Sequence, residues 1–516
     1  MIMKALLCSV IFLIFITFNE TIYSQSLKTF SLPEPVKIEL KRLDEAYKIL
    51  DQYSNEVWKG WNDYLSYPFL MTFQNGLRIL VGHPSPPAEF VPYPDIKVHR
   101  LALYIDTTNL NKFTINLPLE VGGGVSALGS FNRKPVTIVD MRFIEPVNDQ
   151  MKNSDYIKGE DHILVFIHEL MHCYQEKFLK TRYGNFSIDP DMDFALYSDI
   201  EGQALSLAFE QISMKESLPY LKDFCIARSL KTHDLNESEK NQLSANEFRE
   251  GEAQYSEYTI LQFIKRGFEN SVSLDYDPEY KHFTNPDMYI DRYLKRLKVS
   301  AGNTLNMTGK LYDYGCFQAL LLQRYFPGWE KEIEEGSWLD QIIRKRLTIS
   351  ANDSLLVMER FQNIYHIDEL KVKHKNIISE RDETYKMFTE RKGISYIISF
   401  QHIAQLLSQL VDKSQINYRI GQTYMYPDGI GDLNFDGISI SLKSIPIEVY
   451  KVYYIRVIDT NPKKEGEPYS IKYQSKDSTG FYYNAIIETP LFTLKTPKVS
   501  IIESEERVIF MIQSII

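Results

Sequence analysis

The chain has 516 residues, 44% hydrophobic, 13% aromatic and 24% charged, a balance that excludes a wholly disordered, collagen-like or coiled-coil protein. Its 58 basic and 68 acidic residues leave a net charge of −10, which lacks the electrostatic footprint of a general nucleic-acid binder. Four cysteines are too few for a disulfide scaffold.

The first segment reads as an address. Lys4 precedes the apolar run Ala5 to Phe18, and a polar stretch follows around Ser24-Gln25, the pattern of a secretory signal peptide over residues 1–24. The run falls short of the roughly 20 apolar residues that a membrane span needs. No later segment reaches that length, so no span is expected after removal, and the protein is expected in a periplasm or outside the cell. Loss of Cys8 would leave Cys173, Cys225 and Cys316, expected as buried thiols with at most one disulfide.

Beyond the leader, Leu40, Leu43, Tyr47 and Leu50 recur at helical spacing and predict a helix over 39–58. Short apolar runs bounded by Gly and Pro then predict strands at 69–73, 78–81, 99–105 and 135–139. From about 160 to 415 the pattern is helical, the charged stretch 371–392 reading as one solvated helix face. From about 416 it returns to strands, at 438–442, 449–457, 481–487 and 507–512. Asp432 to Gly437 lacks the closing acidic residue of a calcium loop and is read as a turn.

Residues 168–172, His168-Glu169-Leu170-Met171-His172, form H-E-x-x-H. On a helix the two imidazoles stack one turn apart, about 5–6 Å between Cβ atoms. That spacing suits two adjacent ligands of a tetrahedral Zn²⁺. Glu169 stands about 100° round the helix, placed to take a proton from a water that the metal acidifies. Ile163 to Ile167 before the motif, and Cys173 and Tyr174 after it, make the helix apolar nearly all round and hence buried. Two histidines and a glutamate there are costly unless paired or metal-bound. The plainer alternative is an i,i+4 histidine pair that merely hydrogen-bonds. His83, His99, His162, His233, His282, His366, His374 and His402 have no ligand spacing and read as structural.

A catalytic zinc needs a third protein ligand and an open position. Two later helices carry E-G-x-A, at Glu201-Gly202-Gln203-Ala204 and at Glu250-Gly251-Glu252-Ala253. In both, the small residues allow close approach to another helix. Glu201 has apolar face neighbours, Tyr197, Leu205 and Ala208. Glu250 lies in a polar stripe with Asn246, Glu247, Gln254 and Glu257. From the residues alone both remain candidates, and one of them is expected to be no more than a helix-surface charge or a buried ion-pair partner.

H-E-x-x-H followed by Glu250-Gly251-Glu252-Ala253-Gln254-Tyr255 resembles the gluzincin zinc peptidases, especially the branch that includes the membrane alanyl aminopeptidases. That branch also carries Y-x-K-G at the start of a later apolar helix, its Tyr helping to hold the tetrahedral oxyanion. Here Tyr312-Asp313-Tyr314-Gly315 opens the run Cys316 to Leu322. The 62 residues from Glu250 to Tyr312 are similar to that branch, whereas Glu201 would make the interval 111. The resemblance therefore implies His168, His172 and Glu250 as zinc ligands, with Glu201 the alternative third ligand, Glu169 as general base and Tyr312 at the oxyanion. Tyr255 and Tyr314 are lesser candidates for that last role. The chain departs from the branch in its long interval from His172 to Glu250. It also has no Gly-x-Met-Glu-Asn segment, so exopeptidase specificity does not carry over. Gly122-Gly123-Gly124 reads as a turn that could let a substrate backbone lie close.

The expectation is an α+β protein. Residues 1–24 form the leader, and 25–158 a small N-terminal β-sheet region packed on a mainly helical zincin-like core at 159–415. Residues 416–516 form a C-terminal all-β module. The expected activity is zinc-dependent hydrolysis of peptide or protein substrates, with no nucleic acid bound. The rival is a secreted zinc-fold binding or scaffolding protein without catalysis. Cleavage preference and oligomeric state are not written in the sequence.

Overall fold

Leu40, Leu43, Tyr47 and Leu50 are buried along one side of α1 (Glu34–Val57), as their spacing requires. The computed structural model describes residues 31–73, 76–108, 126–131, 134–140, 159–177, 179, 191–267, 285–298, 308–390, 393–400, 418–420, 423–426, 432–435, 438–442, 447–450, 454–459, 468–504 and 507–512. The leader, Cys8, the triglycine, His282 and His402 lie outside them.

A six-stranded sheet follows α1, with order β3-β4-β2-β1-β6-β5. Its strands are β1 (Phe69–Thr72), β2 (Arg78–Val81), β3 (Val91–Pro92), β4 (Leu103–Asp106), β5 (Ser126–Phe131) and β6 (Lys134–Asp140). All neighbours are antiparallel except β1 and β6, which run parallel with Leu70 opposite Ile138. Every residue of β1 and β2 is buried, which is why their sequences are nearly continuous apolar runs. The strand expected at 99–105 begins only at Leu103. His99 sits in the left-handed region at φ 56°, its N–H donated to Asp44, and that turn breaks the strand.

Helix α2 (Gly159–Gln175) packs against β6, β5 and α1. Cys173 Sγ lies 2.7 Å from Thr137 Oγ1 of β6, so β6 lies beside the motif helix. Buried His162 ties α2 to α1 through Glu39 and Arg42, at 3.0 Å from each. The helical core continues with α3 (Met192–Glu210), α4 (Met214–Lys231), α5 (Glu237–Gly267), α6 (Pro286–Lys298) and α7 (Thr308–Tyr325). Then come α8 (Glu330–Glu334), α9 (Leu339–Arg346), α10 (Ala351–Asn363) and α11 (Ile367–Thr389). Asp191 caps α3 by accepting from the Phe194 N–H, and Ser213 with Glu216 forms a capping box on α4. No helix among the described residues is long and apolar enough to cross a membrane.

One crossing governs the helix geometry near the motif. A Cβ on Gly251 of α5 would stand 2.2 Å from Gly315 Cα of α7. A Cβ on Gly315 would stand 1.8 Å from the Glu247 carbonyl oxygen. The two helices meet backbone to backbone, and only glycine permits it.

The β-rich module starts at β7 (Ile394–Phe400), so the boundary expected at 416 is too late. Gly393 at φ 151° separates it from α11, and an apolar run of seven residues is too short to tell strand from helix by pattern. The strand expected at 449–457 is instead the hairpin β12–β13 described next. The module comprises β8 (Tyr418–Ile420), β9 (Thr423–Tyr426), β10 (Leu433–Phe435), β11 (Ile438–Leu442), β12 (Ile447–Tyr450) and β13 (Tyr454–Asp459). It ends with β14 (Ser470–Lys472), β15 (Ser475–Lys476), β16 (Tyr482–Glu488), β17 (Phe492–Ser504) and β18 (Arg507–Ile512). The main path is β10-β11-β17-β18-β7-β13-β12-β9-β8, with β14 to β16 joined beside β17. Tyr396, Ile398, Leu494, Val508 and Phe510 form its own buried cluster, separate from the core built on α1 to α11. Leu433 pairs with Ile440, so Asp432 leads into a β10–β11 hairpin.

Replacing Gly315→Ala is expected to lower unfolding stability by about 3 kcal/mol, because the methyl meets backbone rather than a movable side chain. Denaturant titration checks this; an unchanged midpoint would mean that α5 and α7 do not touch there.

Candidate metal centre

The motif helix buries its polar residues along with its apolar ones. Ile163, Phe166, Ile167, Leu170 and Met171 are inaccessible, and His168, Glu169 and His172 are only 7%, 6% and 6% exposed. Three ionisable side chains in such a place need partners. Ligand atoms of all three lie within 4.8 Å of one another, and the two imidazole centroids are 4.7 Å apart with their planes at 88°.

Glu250, from α5, closes the arrangement. Its Oε2 lies 3.5 Å from His172 Nε2 and 3.7 Å from His168 Nε2. A tetrahedral site with ligand bonds of about 2.0–2.1 Å has ligand–ligand edges of about 3.3–3.4 Å. The two edges from Glu250 thus stand close to the spacing a single small divalent cation demands. Glu169 Oε1 is 4.0 Å from His168 Nε2, beside that triangle. Two imidazole nitrogens and one carboxylate oxygen are a donor set that suits zinc.

The outer ring nitrogens settle the tautomers. His168 Nδ1 lies 2.5 Å from Glu257 Oε1; a carboxylate accepts, so Nδ1 carries a hydrogen in either charge state and Nε2, turned to the centre, is the nitrogen whose proton a metal would replace. His172 Nδ1 lies 2.9 Å from Gln175 Oε1. The Gln175 amide cannot be turned round, because its Nε2 donates to the Arg249 carbonyl oxygen at 2.9 Å, and a carbonyl only accepts. The backbone of the residue preceding Glu250 therefore fixes the tautomer of His172. Gln175 Nε2 also donates to Glu252 at 2.6 Å, and burial pushes the Glu252 carboxyl up to about 8, against its bonds from Gln175 and Ser256.

Electrostatics within the triad follow from the same contacts. Burial pulls His168 down, but hydrogen bonds to Glu250 and Glu257 and the charge of Glu257 outweigh it, holding the ring well above the usual imidazole value. Burial raises Glu250, yet His172 and His168 bring it well below the usual carboxylate range. Without a metal, protons and carboxylates balance the site.

Tyr312, at the start of α7, stacks on His168 with centroids 5.9 Å apart and planes at 18°, and the charge of Glu250 acts on its hydroxyl. Burial first, then the charge of Glu250, pushes its phenol far up, so it remains a proton donor at neutral pH. The structure thus brings together His168, Glu169, His172, Glu250 and Tyr312. The others go elsewhere. Glu201 is fully buried, and its carboxylate accepts from Arg228 and Lys231 of α4, so it is the ion-pair partner of the two E-G-x-A glutamates. Tyr255 packs edge-on against Trp329, and Tyr314 donates to the Ser198 carbonyl at 2.6 Å. Cys173, Cys225 and Cys316 are buried free thiols.

Glu257 and Gln175 hold the outer ring nitrogens of the two histidines, a part that motif reading did not assign to them. Glu257 lies seven residues after Glu250 and Gln175 three after His172, both on the ligand face of their helices. Truncating Gln175→Met is expected to weaken zinc binding about 10- to 100-fold by freeing the His172 tautomer. Competition against a chromophoric chelator measures it, and an unchanged affinity would remove Gln175 from the account. No family model matches the chain, and neither does any curated protein or solved structure.

Proposed function

We propose that this chain is an exported zinc-dependent metallopeptidase that hydrolyses peptide bonds in peptide or protein substrates. The observation that carries the reading is the approach of Glu250 Oε2 to both histidine Nε2 atoms, with a second carboxylate, Glu169, beside them and outside the ligand triangle. His168, His172 and Glu250 would hold the ion, which when bound supplies a Lewis acid and lowers the pKa of water.

The remaining work falls to this chain's side chains. Glu169 receives the proton of the attacking water on its carboxylate and passes it to the leaving amine, the general base becoming the general acid. A purely structural site has no use for that second buried carboxylate, which weighs against the non-catalytic scaffold reading. Tyr312 offers a hydroxyl hydrogen beside the ligands, suited to the oxygen of a carbonyl under attack, a contact of a kind worth about 3–4 kcal/mol of barrier. Glu257 and Gln175 keep both rings in the ligating tautomer throughout.

Glu169→Gln is expected to retain zinc at wild-type stoichiometry while peptide hydrolysis falls by about 10²- to 10⁴-fold. A peptide-library digest with metal analysis tests both halves, and full activity in that variant would exclude the mechanism. The carboxylates that hold His168 protonated also set a pH dependence. Zinc must displace that proton, so binding is expected to release protons at neutral pH and to weaken as pH falls. Titration in two buffers of different ionisation enthalpy reads the proton count; zero release would contradict a protonated His168 in the metal-free protein.

A further inference from the structure

The residue after Tyr312 is held more tightly than a helix start requires. Asp313 is 1% exposed and receives three hydrogen bonds from two other helices. Arg296 of α6 donates from Nε at 2.9 Å and from Nη2 at 2.5 Å, and Gln254 of α5 donates from Nε2 at 3.0 Å. Arg296 Nη2 also donates to Gln254 Oε1 at 3.2 Å, closing a ring of three side chains. Arg296 rests over the Tyr293 ring, 4.7 Å from its centroid. Gln254 lies one turn beyond Glu250 on the ligand face of α5, so the ring joins the helix carrying the third ligand to the helix carrying Tyr312.

We propose that Asp313, Arg296 and Gln254 form a positioning clamp that fixes the rotation of α7 and thereby aims Tyr312 at the metal centre. The proposal rests on the peptidase reading for its catalytic consequence, though not for its geometry. The glycine crossing sets how near α7 lies to α5, while its rotation is held by side chains: Tyr314 on the Ser198 carbonyl, Gln318 on Glu247 and, next to Tyr312 itself, Asp313. Successive helical residues are about 100° apart, so pinning Asp313 sets the direction of Tyr312. A tyrosine hydroxyl stands about 8–9 Å from its helix axis, and a rotation of about 10° therefore carries it by more than about 1 Å. A shift of that size at a reacting centre can cost about 10²-fold in rate. It would also disturb the Tyr312 stack on His168.

The test uses the full chain labelled with fluorotyrosine. The Tyr312 resonance is assigned by its loss in Tyr312→Phe, and it is followed in Arg296→Gln and Asp313→Asn. Arg296 is 45% exposed and glutamine retains a hydrogen-bond donor toward Asp313; circular dichroism establishes that each variant is folded before its spectrum is read. The clamp requires that the Tyr312 resonance shift or broaden in Arg296→Gln while zinc stoichiometry stays at the wild-type value, since His168, His172 and Glu250 are all retained. In the active enzyme kcat falls about 10-fold or more with KM little changed, and Arg296→Gln adds nothing to Tyr312→Phe. An unmoved Tyr312 resonance in a folded Arg296→Gln protein overturns the clamp, as does full additivity of the two substitutions in kcat. A wild-type protein that binds zinc without hydrolysing peptides would sink the peptidase reading, and the fluorine spectrum would still decide the clamp.

Discussion

Two helices without side chains between them hold this centre together. Gly251 and Gly315 bring the backbones of α5 and α7 into contact, and a methyl on either would collide with the opposite main chain. Glu250 is the neighbour of one glycine, and Tyr312 lies three residues before the other. A wider crossing would withdraw the carboxylate from the two histidines and the ring from His168. Small residues here are thus a condition of the site's geometry rather than of general packing.

The same helices show how one motif can serve two ends. Glu201 and Glu250 both open E-G-x-A, and both glycines sit at close approaches, Gly202 against the Leu297 carbonyl and Gly251 against Gly315. Their partners separate them. Glu201 is enclosed with Arg228 and Lys231, and the Arg228 guanidinium keeps its charge throughout. Arg228 also reaches Glu247 on α5, making the network a tie between α3, α4 and α5. Glu250 faces imidazoles, whose protons a metal can replace. A carboxylate between two histidines is poised for exchange of cations, whereas one between lysine and arginine is locked.

Much of this was legible in the sequence, and the rest was hidden for identifiable reasons. The His168 to His172 spacing fixes its own geometry on any helix. The strands at 69–72, 78–81 and 507–512 announce themselves as apolar runs between turns. β5 does not, because Ser126-Ala127-Leu128-Gly129-Ser130-Phe131 has little intrinsic strand preference and is specified by pairing with β6, Leu128 opposite Thr137. Choosing between Glu201 and Glu250 required knowing that Arg228 folds back on the first, a contact spanning 27 residues and two helices. The support from Gln175 was hidden for a further reason. It depends on a backbone carbonyl, which carries no residue-type signal at all.

The central claim is that one divalent cation sits among His168, His172 and Glu250. Zinc-edge X-ray absorption on the purified full chain tests it most directly. The account predicts one zinc per chain in a shell of nitrogen and oxygen only, at about 2.0–2.1 Å, with imidazole scattering from two rings. A sulfur shell near 2.3 Å, which would implicate the buried cysteines, or a metal retained in full after Glu250→Ala with an unchanged spectrum, would contradict it.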